Sequence, residues 1–159
     1  MLYFAYGSNM STQRLLQRVP SARAPQAAVL QGHRLVFHKV GRDGSAKCDA
    51  VASRHDRDAV HGVLYQIDKG HKPRLDGFEG LGQGYGQKSV TVRLADGTEW
   101  LAVTYCATHV DDTLRPYPWY LEHVLRGALE HGMPDHYRAT IAAVQTVDDP
   151  DRRRHAMEL

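Results

Sequence analysis

The chain has 159 residues, of which 42% are hydrophobic and 24% charged, as is ordinary for a folded globular protein and unlike a disordered one. Twenty basic against eighteen acidic residues give a formal net charge of +2, which is too balanced to indicate a nucleic-acid partner. No apolar run approaches the ~20 residues of a membrane span, and no secretory signal pattern is found, so we expect no membrane partner.

The first predicted element is a buried strand over residues 2–6, which stops in the turn Tyr6-Gly7-Ser8-Asn9. Glycine permits close backbone approach, and Ser11 or Thr12 can cap a short helix predicted over residues 13–19. Such a turn leaves backbone N–H groups, a hydroxyl and an amide free to bind a ligand. On the pattern alone, a tight turn without a ligand is the more frequent outcome.

Strand patterns dominate the next part of the chain. Apolar residues return over residues 27–40, where Gly32 predicts a bend or bulge between two strands. After a loop, further strands are predicted over the ranges 48–53, 59–67, 90–94 and 100–106, the last two forming a hairpin around Asp96-Gly97. Between them, a short helix over residues 72–78 would place Glu79 at its end.

Helices are predicted to close the chain, over residues 119–131 and 135–144. Gly132 suits the position just beyond a helix, and Pro134 blocks its continuation. Strands first and helices last favour an α+β fold, although the pattern does not reveal whether the strands close into a barrel. We expect one domain over residues 1–147 and a polar, solvated C-terminal tail over residues 148–159.

The two cysteines, Cys48 and Cys106, lie among apolar, strand-like neighbours and lack metal-ligand spacing. They are therefore interpreted as reduced core residues of a cytoplasmic protein. None of the ten histidines has the i, i+4 spacing or the companion motif of a metal site. We accordingly predict no metal and no cofactor, and a cysteine–histidine hydrolase is disfavoured because reactive thiols are partly exposed.

Three segments, in this order, resemble the γ-glutamylcyclotransferase family: Tyr6-Gly7-Ser8-Asn9-Met10, Leu75-Asp76-Gly77-Phe78-Glu79-Gly80 with Tyr85 after it, and Arg115-Pro116-Tyr117-Pro118-Trp119-Tyr120. The resemblance runs from residue 1 to about residue 145. It implies a small mixed β-barrel with flanking helices and one pocket at the barrel mouth. It also implies a reaction in which the α-amine of a γ-glutamyl substrate attacks its own γ-carbonyl carbon, so that 5-oxoproline forms and an amino acid or amine leaves.

The resemblance assigns roles to residues of this chain. Glu79 would be the catalytic acid–base group, and its position between Phe78 and glycine-rich backbone would raise its pKa by partial desolvation. The competing interpretation is a loop carboxylate that only accepts backbone hydrogen bonds. The substrate-binding residues implied are Tyr6, Gly7, Ser8, Asn9, Tyr85 and Tyr120. On pattern alone, each tyrosine is more typical of a half-buried core position.

The leaving group stays open at this point. The segment Cys48-Asp49-Ala50 stands where a glycine- or alanine-rich strand is usual in the family, so this side of the pocket departs from the family pattern. The alternatives are a γ-glutamylamine, another γ-glutamyl acyl group, and a non-catalytic module of the same fold that binds a small metabolite. A small-molecule γ-glutamyl substrate is expected, and the protein is either a monomer or a homodimer.

Overall fold

The computed structural model describes all 159 residues, which form seven strands and five α-helices. In chain order these are β1 (Leu2–Ala5), α1 (Thr12–Arg18), β2 (Arg23–Gln31), β3 (His33–Val40), β4 (Ala46–Ala52), β5 (Ala59–Gln66), α2 (Lys72–Glu79), β6 (Tyr85–Leu94), β7 (Glu99–Ala107), α3 (Pro118–Glu130), α4 (Asp135–Ala142) and α5 (Arg152–Glu158). A 3-10 turn over Ser8–Met10 follows β1. None of the helices is both long and apolar enough to pass through a membrane.

Five strands close into a mixed barrel in the order β1-β5-β2-β6-β7. Neighbours are antiparallel except at the seam, where β1 and β7 run parallel and Tyr3 pairs with Val103. β3 and β4 form a separate two-stranded antiparallel sheet. The predicted α+β class and mixed barrel with flanking helices are therefore confirmed.

Close packing of α3 fixes the loop that follows β1. A Cβ added at Gly127 would lie 2.5 Å from the Cβ of Met10 and 2.7 Å from the backbone nitrogen of Ser11, so only glycine lets the helix approach this closely. The α3 face that contacts the turn is apolar, and Val124 and Ala128 on it are fully buried. The turn after β1 is thus held by a rigid helix on one side and by the barrel on the other.

The polar segment over residues 148–159 is largely exposed, but part of it is folded and attached to the rest of the protein. Residues Arg152–Glu158 form α5, and Asp149 is buried, with its carboxylate accepting a hydrogen bond of 2.8 Å from Trp119 Nε1. At the far end of α5, Glu158 forms an ion pair of 2.8 Å with Arg14 of α1. Two charged side chains, Asp149 and Glu158, thus have partners on the body of the protein, which a charge run in sequence does not reveal. Whether residues 1–147 fold without this segment stays a prediction.

Candidate active site

A small cavity lies where β1 and α2 both end, at one end of the barrel. All seven predicted site residues line it: Tyr6, Gly7, Ser8, Asn9, Glu79, Tyr85 and Tyr120. They come from parts of the chain more than a hundred residues apart. The structure therefore brings together the residues that the resemblance selected, while their roles stay predictions.

Glu79 is the last residue of α2, and the backbone after it turns sharply. Gly80 adopts the left-handed conformation (φ 74°), and its N–H donates to the carbonyl of Asp76 at 2.9 Å. The carboxylate of Glu79 consequently lies at the negative end of the helix, where a negative charge is disfavoured. This placement is unfavourable for a carboxylate that serves only to stabilise the fold.

One oxygen of Glu79 is held and the other is free. Glu79 Oε1 accepts hydrogen bonds from Asn9 Nδ2 at 2.7 Å and from the hydroxyl of Tyr3 at 3.3 Å. Its second oxygen, Oε2, makes no hydrogen bond within the protein. The side chain is therefore oriented through one oxygen, which leaves the other available to exchange a proton with a molecule in the cavity.

Burial raises the pKa of Glu79, which is the direction expected from the sequence. The Arg18 guanidinium opposes this rise most strongly, followed by the hydrogen bond from Tyr3 and the more distant cations Lys39 and Arg14. A raised pKa makes the carboxylate a better proton acceptor, which is the direction that acid–base catalysis by Glu79 requires.

Asn9 connects Glu79 to a cation on α1. Its Oδ1 accepts a hydrogen bond of 3.2 Å from Arg18 Nη1, which fixes the amide with its nitrogen toward Glu79. The Arg18 guanidinium also stacks over the ring of Phe78, 5.1 Å from the ring centroid. Asn9 is 3% exposed, so its side chain positions Glu79 rather than reaching into solvent.

Gly7 forms a narrow part of the cavity wall. A Cβ there would lie 3.2 Å from the Tyr120 hydroxyl and 3.3 Å from Cys48 Cβ, which leaves little room for any side chain. The Gly7 carbonyl accepts a hydrogen bond from the Met10 N–H at 3.1 Å, but the Gly7 N–H donates none within the protein. An unpaired backbone donor in a cavity wall is suited to an oxygen of a ligand.

The predicted tyrosines line the cavity, but their hydroxyls are engaged by backbone. Tyr85 donates to the carbonyl of Cys48 at 2.5 Å, and Tyr120 accepts from the N–H of Cys48 at 3.0 Å. The Tyr6 hydroxyl donates to the carbonyl of Tyr105. Two of these rings therefore hold β4 against the cavity, and no hydrogen bond joins Tyr120 to Glu79. Substrate contact by these tyrosines stays a prediction.

Three lining residues were not predicted: Tyr3, Thr104 and Tyr105. Cys48, which also lines the cavity, belongs to the segment that the resemblance places at one side of the pocket. Tyr3 matters most because it binds Glu79 directly and also accepts a hydrogen bond of 3.2 Å from Asn9. A signal for it existed, since a tyrosine in a buried strand needs a partner for its hydroxyl.

A larger space, here called the outer vestibule, adjoins the cavity and shares four of its lining residues, Ser8, Glu79, Tyr85 and Tyr120. Its wall carries six basic side chains, Arg14, Arg18, Lys39, Arg42, Lys47 and Arg154, against three acidic ones, Asp43, Glu79 and Glu158. A molecule that reaches Glu79 through the vestibule therefore passes a predominantly positive surface.

Two other kinds of site were considered from the sequence, a metal site and a cysteine–histidine hydrolase. No group of three or more His, Cys, Asp or Glu side chains is arranged to hold a metal ion. Burial raises the pKa of the Cys48 thiol to about 12, so the thiol stays protonated at neutral pH and is a poor nucleophile.

Comparison with known proteins identifies the family. A sequence model described as the AIG2-like family matches residues 59–141. The Bos taurus and Homo sapiens proteins named gamma-glutamylcyclotransferase are each 32% identical over 151 residues, which cover 92% of this chain and 80% of each relative. The chain belongs to the γ-glutamylcyclotransferase family.

The structural comparison agrees with this assignment. A solved gamma-glutamyl cyclotransferase superposes with a TM-score of 0.87 at 28% identity, over 99% of this chain and 96% of that one. Family membership makes the protein a cyclotransferase-type enzyme, which favours catalysis over the non-catalytic binding module considered from the sequence. In this member of the γ-glutamylcyclotransferase family, Glu79 and the loop after β1 line the same cavity.

Proposed function

We propose that this enzyme converts γ-glutamyl amino acids into 5-oxoproline and a free amino acid, with Glu79 as the single acid–base group. The observation that carries the proposal is the free Oε2 of Glu79 in a cavity whose wall also holds the unpaired N–H of Gly7. One group can move a proton there, and the other can stabilise an oxygen on which negative charge develops.

The reaction needs no water and no covalent intermediate with the enzyme. Glu79 removes a proton from the substrate's α-ammonium group, and the resulting amine attacks the γ-carbonyl carbon to form a five-membered ring. The protonated Glu79 then gives this proton to the departing nitrogen as the amide C–N bond breaks. Its carboxylate next takes up the second proton of the ring nitrogen and passes it to the released amine, which leaves as an ammonium group. Holding the amine beside the carbonyl supplies much of the acceleration, because orientation of an intramolecular attack saves about 7–11 kcal/mol.

The loop over Tyr6–Asn9 is proposed to hold the glutamyl end of the substrate. As the amine attacks, negative charge develops on the γ-carbonyl oxygen, and preorganised backbone donors stabilise such charge more than they stabilise the ground state. Gly7 supports this role because its N–H is unpaired and the approach to it is open only in the absence of a Cβ.

The first test is release of 5-oxoproline, measured by mass spectrometry, from γ-glutamyl amino acids and γ-glutamylamines. We expect Glu79→Gln to lower turnover about 10²- to 10⁴-fold, since loss of a general acid–base group has this effect. Glu99→Gln is the matched control, because Glu99 lies on β7 in an exposed ion pair with Arg93 and should leave turnover unchanged. Near-normal activity of Glu79→Gln would refute the assigned mechanism.

The same panel decides between leaving groups. A γ-glutamylamine preference would leave the reaction as proposed but replace the amino acid by an amine. We also expect the enzyme to work in the cytoplasm as a monomer or homodimer, a setting that suits its two free cysteines, Cys48 and Cys106.

A further inference from the structure

Lys39 is a buried cation without an anionic partner. The residue is 5% exposed, and its ammonium group makes no hydrogen bond and no ion pair within the protein. Its one attractive contact is with the ring of Tyr85, whose centroid lies 4.4 Å from Nζ, and the side chain lines the outer vestibule. No buried side-chain nitrogen or oxygen of the protein lacks a hydrogen-bond partner, so the unpaired Nζ opens into the vestibule although most of the side chain is covered. There the ammonium group is available to an anionic ligand.

Arg42 provides a second cation without a partner. It is exposed, lines the vestibule and makes no hydrogen bond or ion pair within the protein. Its Nη2 lies 3.3 Å from the place where a Cβ on Gly80 would be, directly after Glu79. Both Lys39 and Arg42 come from the end of β3 and the loop beyond it, across the site from the loop after β1.

The other vestibule cations already have partners. Lys47 pairs with Asp43 at 2.9 Å, and Arg14 pairs with Glu158 at 2.8 Å. Arg154 pairs with Asp149, and Arg18 donates to Asn9. Three vestibule cations, Arg18, Lys39 and Arg42, therefore make no ion pair, and of these only Lys39 and Arg42 also lack a hydrogen bond.

The two cations lie at different depths. Burial lowers the pKa of Lys39, Glu79 raises it, Arg42 lowers it and Asp43 raises it, in that order of size. Lys39 contacts the ring of Tyr85, which lines both the cavity and the vestibule, so Lys39 lies on the inner side of the vestibule. Arg42, which is exposed, lies at its outer rim.

We propose that Lys39 binds the α-carboxylate of the leaving amino acid and Arg42 a second carboxylate on its side chain, so that the preferred leaving group is an acidic amino acid. This inference rests on the proposed function and adds the leaving-group class to it. Glu79 does not repel such a substrate during ring closure, because it has taken up the ammonium proton by then. The leaving amino acid departs as a free dicarboxylate once Glu79 has returned that proton to its nitrogen.

Three substrates with two, one and no leaving-group carboxylates test the assignment: γ-glutamyl-glutamate, γ-glutamyl-glutamine and γ-glutamyl-butylamine. The first two differ only in a carboxylate against an amide of nearly the same shape. We expect the wild type to prefer γ-glutamyl-glutamate over γ-glutamyl-glutamine by roughly fivefold or more in kcat/KM. Raising NaCl from about 50 mM to about 500 mM should reduce this preference, since Arg42 is exposed.

Variants separate the two cations. Arg42→Ala should reduce the ratio of kcat/KM for γ-glutamyl-glutamate to that for γ-glutamyl-glutamine from about fivefold to about one. Lys39→Met should lower kcat/KM for both amino acid substrates about tenfold relative to the amine, because charge-assisted hydrogen bonds are strong. The amine controls for any effect of Lys39 on the pKa of Glu79. Lys69→Met, at an exposed site outside the vestibule, is the control variant and should change none of the ratios.

The outcomes distinguish this inference from the proposed function. All three substrates could release 5-oxoproline while the wild type shows equal kcat/KM for γ-glutamyl-glutamate and γ-glutamyl-glutamine. In that case the inference is overturned and the proposed function stands. If none releases it, both fail. Should Lys39→Met not fold, as judged by circular dichroism, the exposed Arg42→Ala variant still decides whether a second carboxylate is bound.

Discussion

Glu79 ends α2, so its carboxylate lies at the negative end of a helix and in a cavity with several aromatic side chains in its wall. Both features disfavour its ionised form, and burial is the larger cause of its raised pKa. The same environment that prepares Glu79 to transfer protons therefore lowers the stability of the folded state when the group is charged.

Glu79→Gln should consequently be more stable than the wild type at neutral pH. A carboxyl group with a raised folded-state pKa stabilises the fold relative to its charged form below the unfolded pKa of about 4.3, and this contribution is lost as pH rises through the folded pKa. Glutamine keeps an oxygen that accepts from Asn9 and Tyr3 but carries no charge. We expect thermal melts to show equal Tm values near pH 4 and an increase of about 3 °C at pH 8 for the variant. A variant that melts lower at pH 8 would show that the Glu79 charge is well compensated.

Arg18 should set the pH at which the enzyme becomes active. Its guanidinium is the strongest influence that lowers the pKa of Glu79, so its removal raises that pKa. We expect Arg18→Gln, which keeps a donor for Asn9, to move the acid limb of the kcat/KM–pH profile upward by about one unit. Arg57→Gln, at an exposed site away from the cavity, is the control. An acid limb that does not move would mean that another group controls it.

At the scale of elements, the C-terminal segment is attached to the active site through Asp149, which lies just before α5 and binds residues of both α3 and α5. The Asp149 carboxylate accepts hydrogen bonds from Trp119 Nε1 at 2.8 Å and from Arg154 Nε at 2.7 Å. Trp119 lies on α3 next to Tyr120, which lines the cavity. The segment therefore supports a wall of the active site rather than trailing into solvent.

Asp149→Asn should destabilise the protein, whereas Asp148→Asn should not. Hydrogen bonds from Arg154 hold the pKa of Asp149 well below its usual range. The stability that it contributes is therefore present above the unfolded pKa of about 3.9 and is lost as pH falls through the lower folded pKa. At pH 7 we expect Tm to fall by roughly 5 °C for Asp149→Asn. Asp148 is exposed and makes no hydrogen bond, which makes it a neighbouring control. Equal melting of both variants would show that the C-terminal segment contributes nothing.

Elements with local signals could be predicted, and those that depend on distant partners could not. The hairpin around Asp96-Gly97 and the end of α3 before Gly132 were found because turn and cap residues mark them in sequence. The separate β3–β4 sheet and the parallel closure of β1 on β7 depend on pairing between remote strands. α5 was missed because its arginines read as a solvated charge run, although Asp151 caps its first turn by accepting from the Arg154 N–H at 3.0 Å.

The candidate site, like the fold, could be predicted only in part from the sequence. Glu79 and the loop after β1 carry motif residues, and they do share a cavity. Tyr3, Arg18 and Lys39 carry no motif, and they became visible only when the fold placed them beside Glu79 or in the vestibule. A single sequence indicates which residues belong to a known pattern, but not which neighbours the packing adds.

At the scale of the whole molecule, tyrosine hydroxyls connect the barrel, the separate sheet and the helices. Tyr85 of β6 and Tyr120 of α3 both bind the backbone of Cys48 on β4. Tyr65 of β5 donates to the carbonyl of Met10 at 3.0 Å, which joins the barrel to the turn after β1. Much of the contact between layers therefore depends on rings that are buried with their hydroxyl groups satisfied.

Alkaline titration should ionise the buried tyrosines and unfold the protein in one cooperative transition. Burial raises the pKa of all eight tyrosines: Tyr3, Tyr6, Tyr65, Tyr85, Tyr105, Tyr117, Tyr120 and Tyr137. Groups of this kind stabilise the fold fully below the unfolded pKa of about 10, and that stability is lost as pH rises above it. We expect the absorbance of tyrosinate at 295 nm to stay low in the native protein at pH near 10, where the guanidinium-unfolded chain is about half ionised. At higher pH it should rise together with the loss of far-ultraviolet circular dichroism. A gradual rise near pH 10 with the circular dichroism intact would instead mean that the rings are open to water and do not hold the layers together.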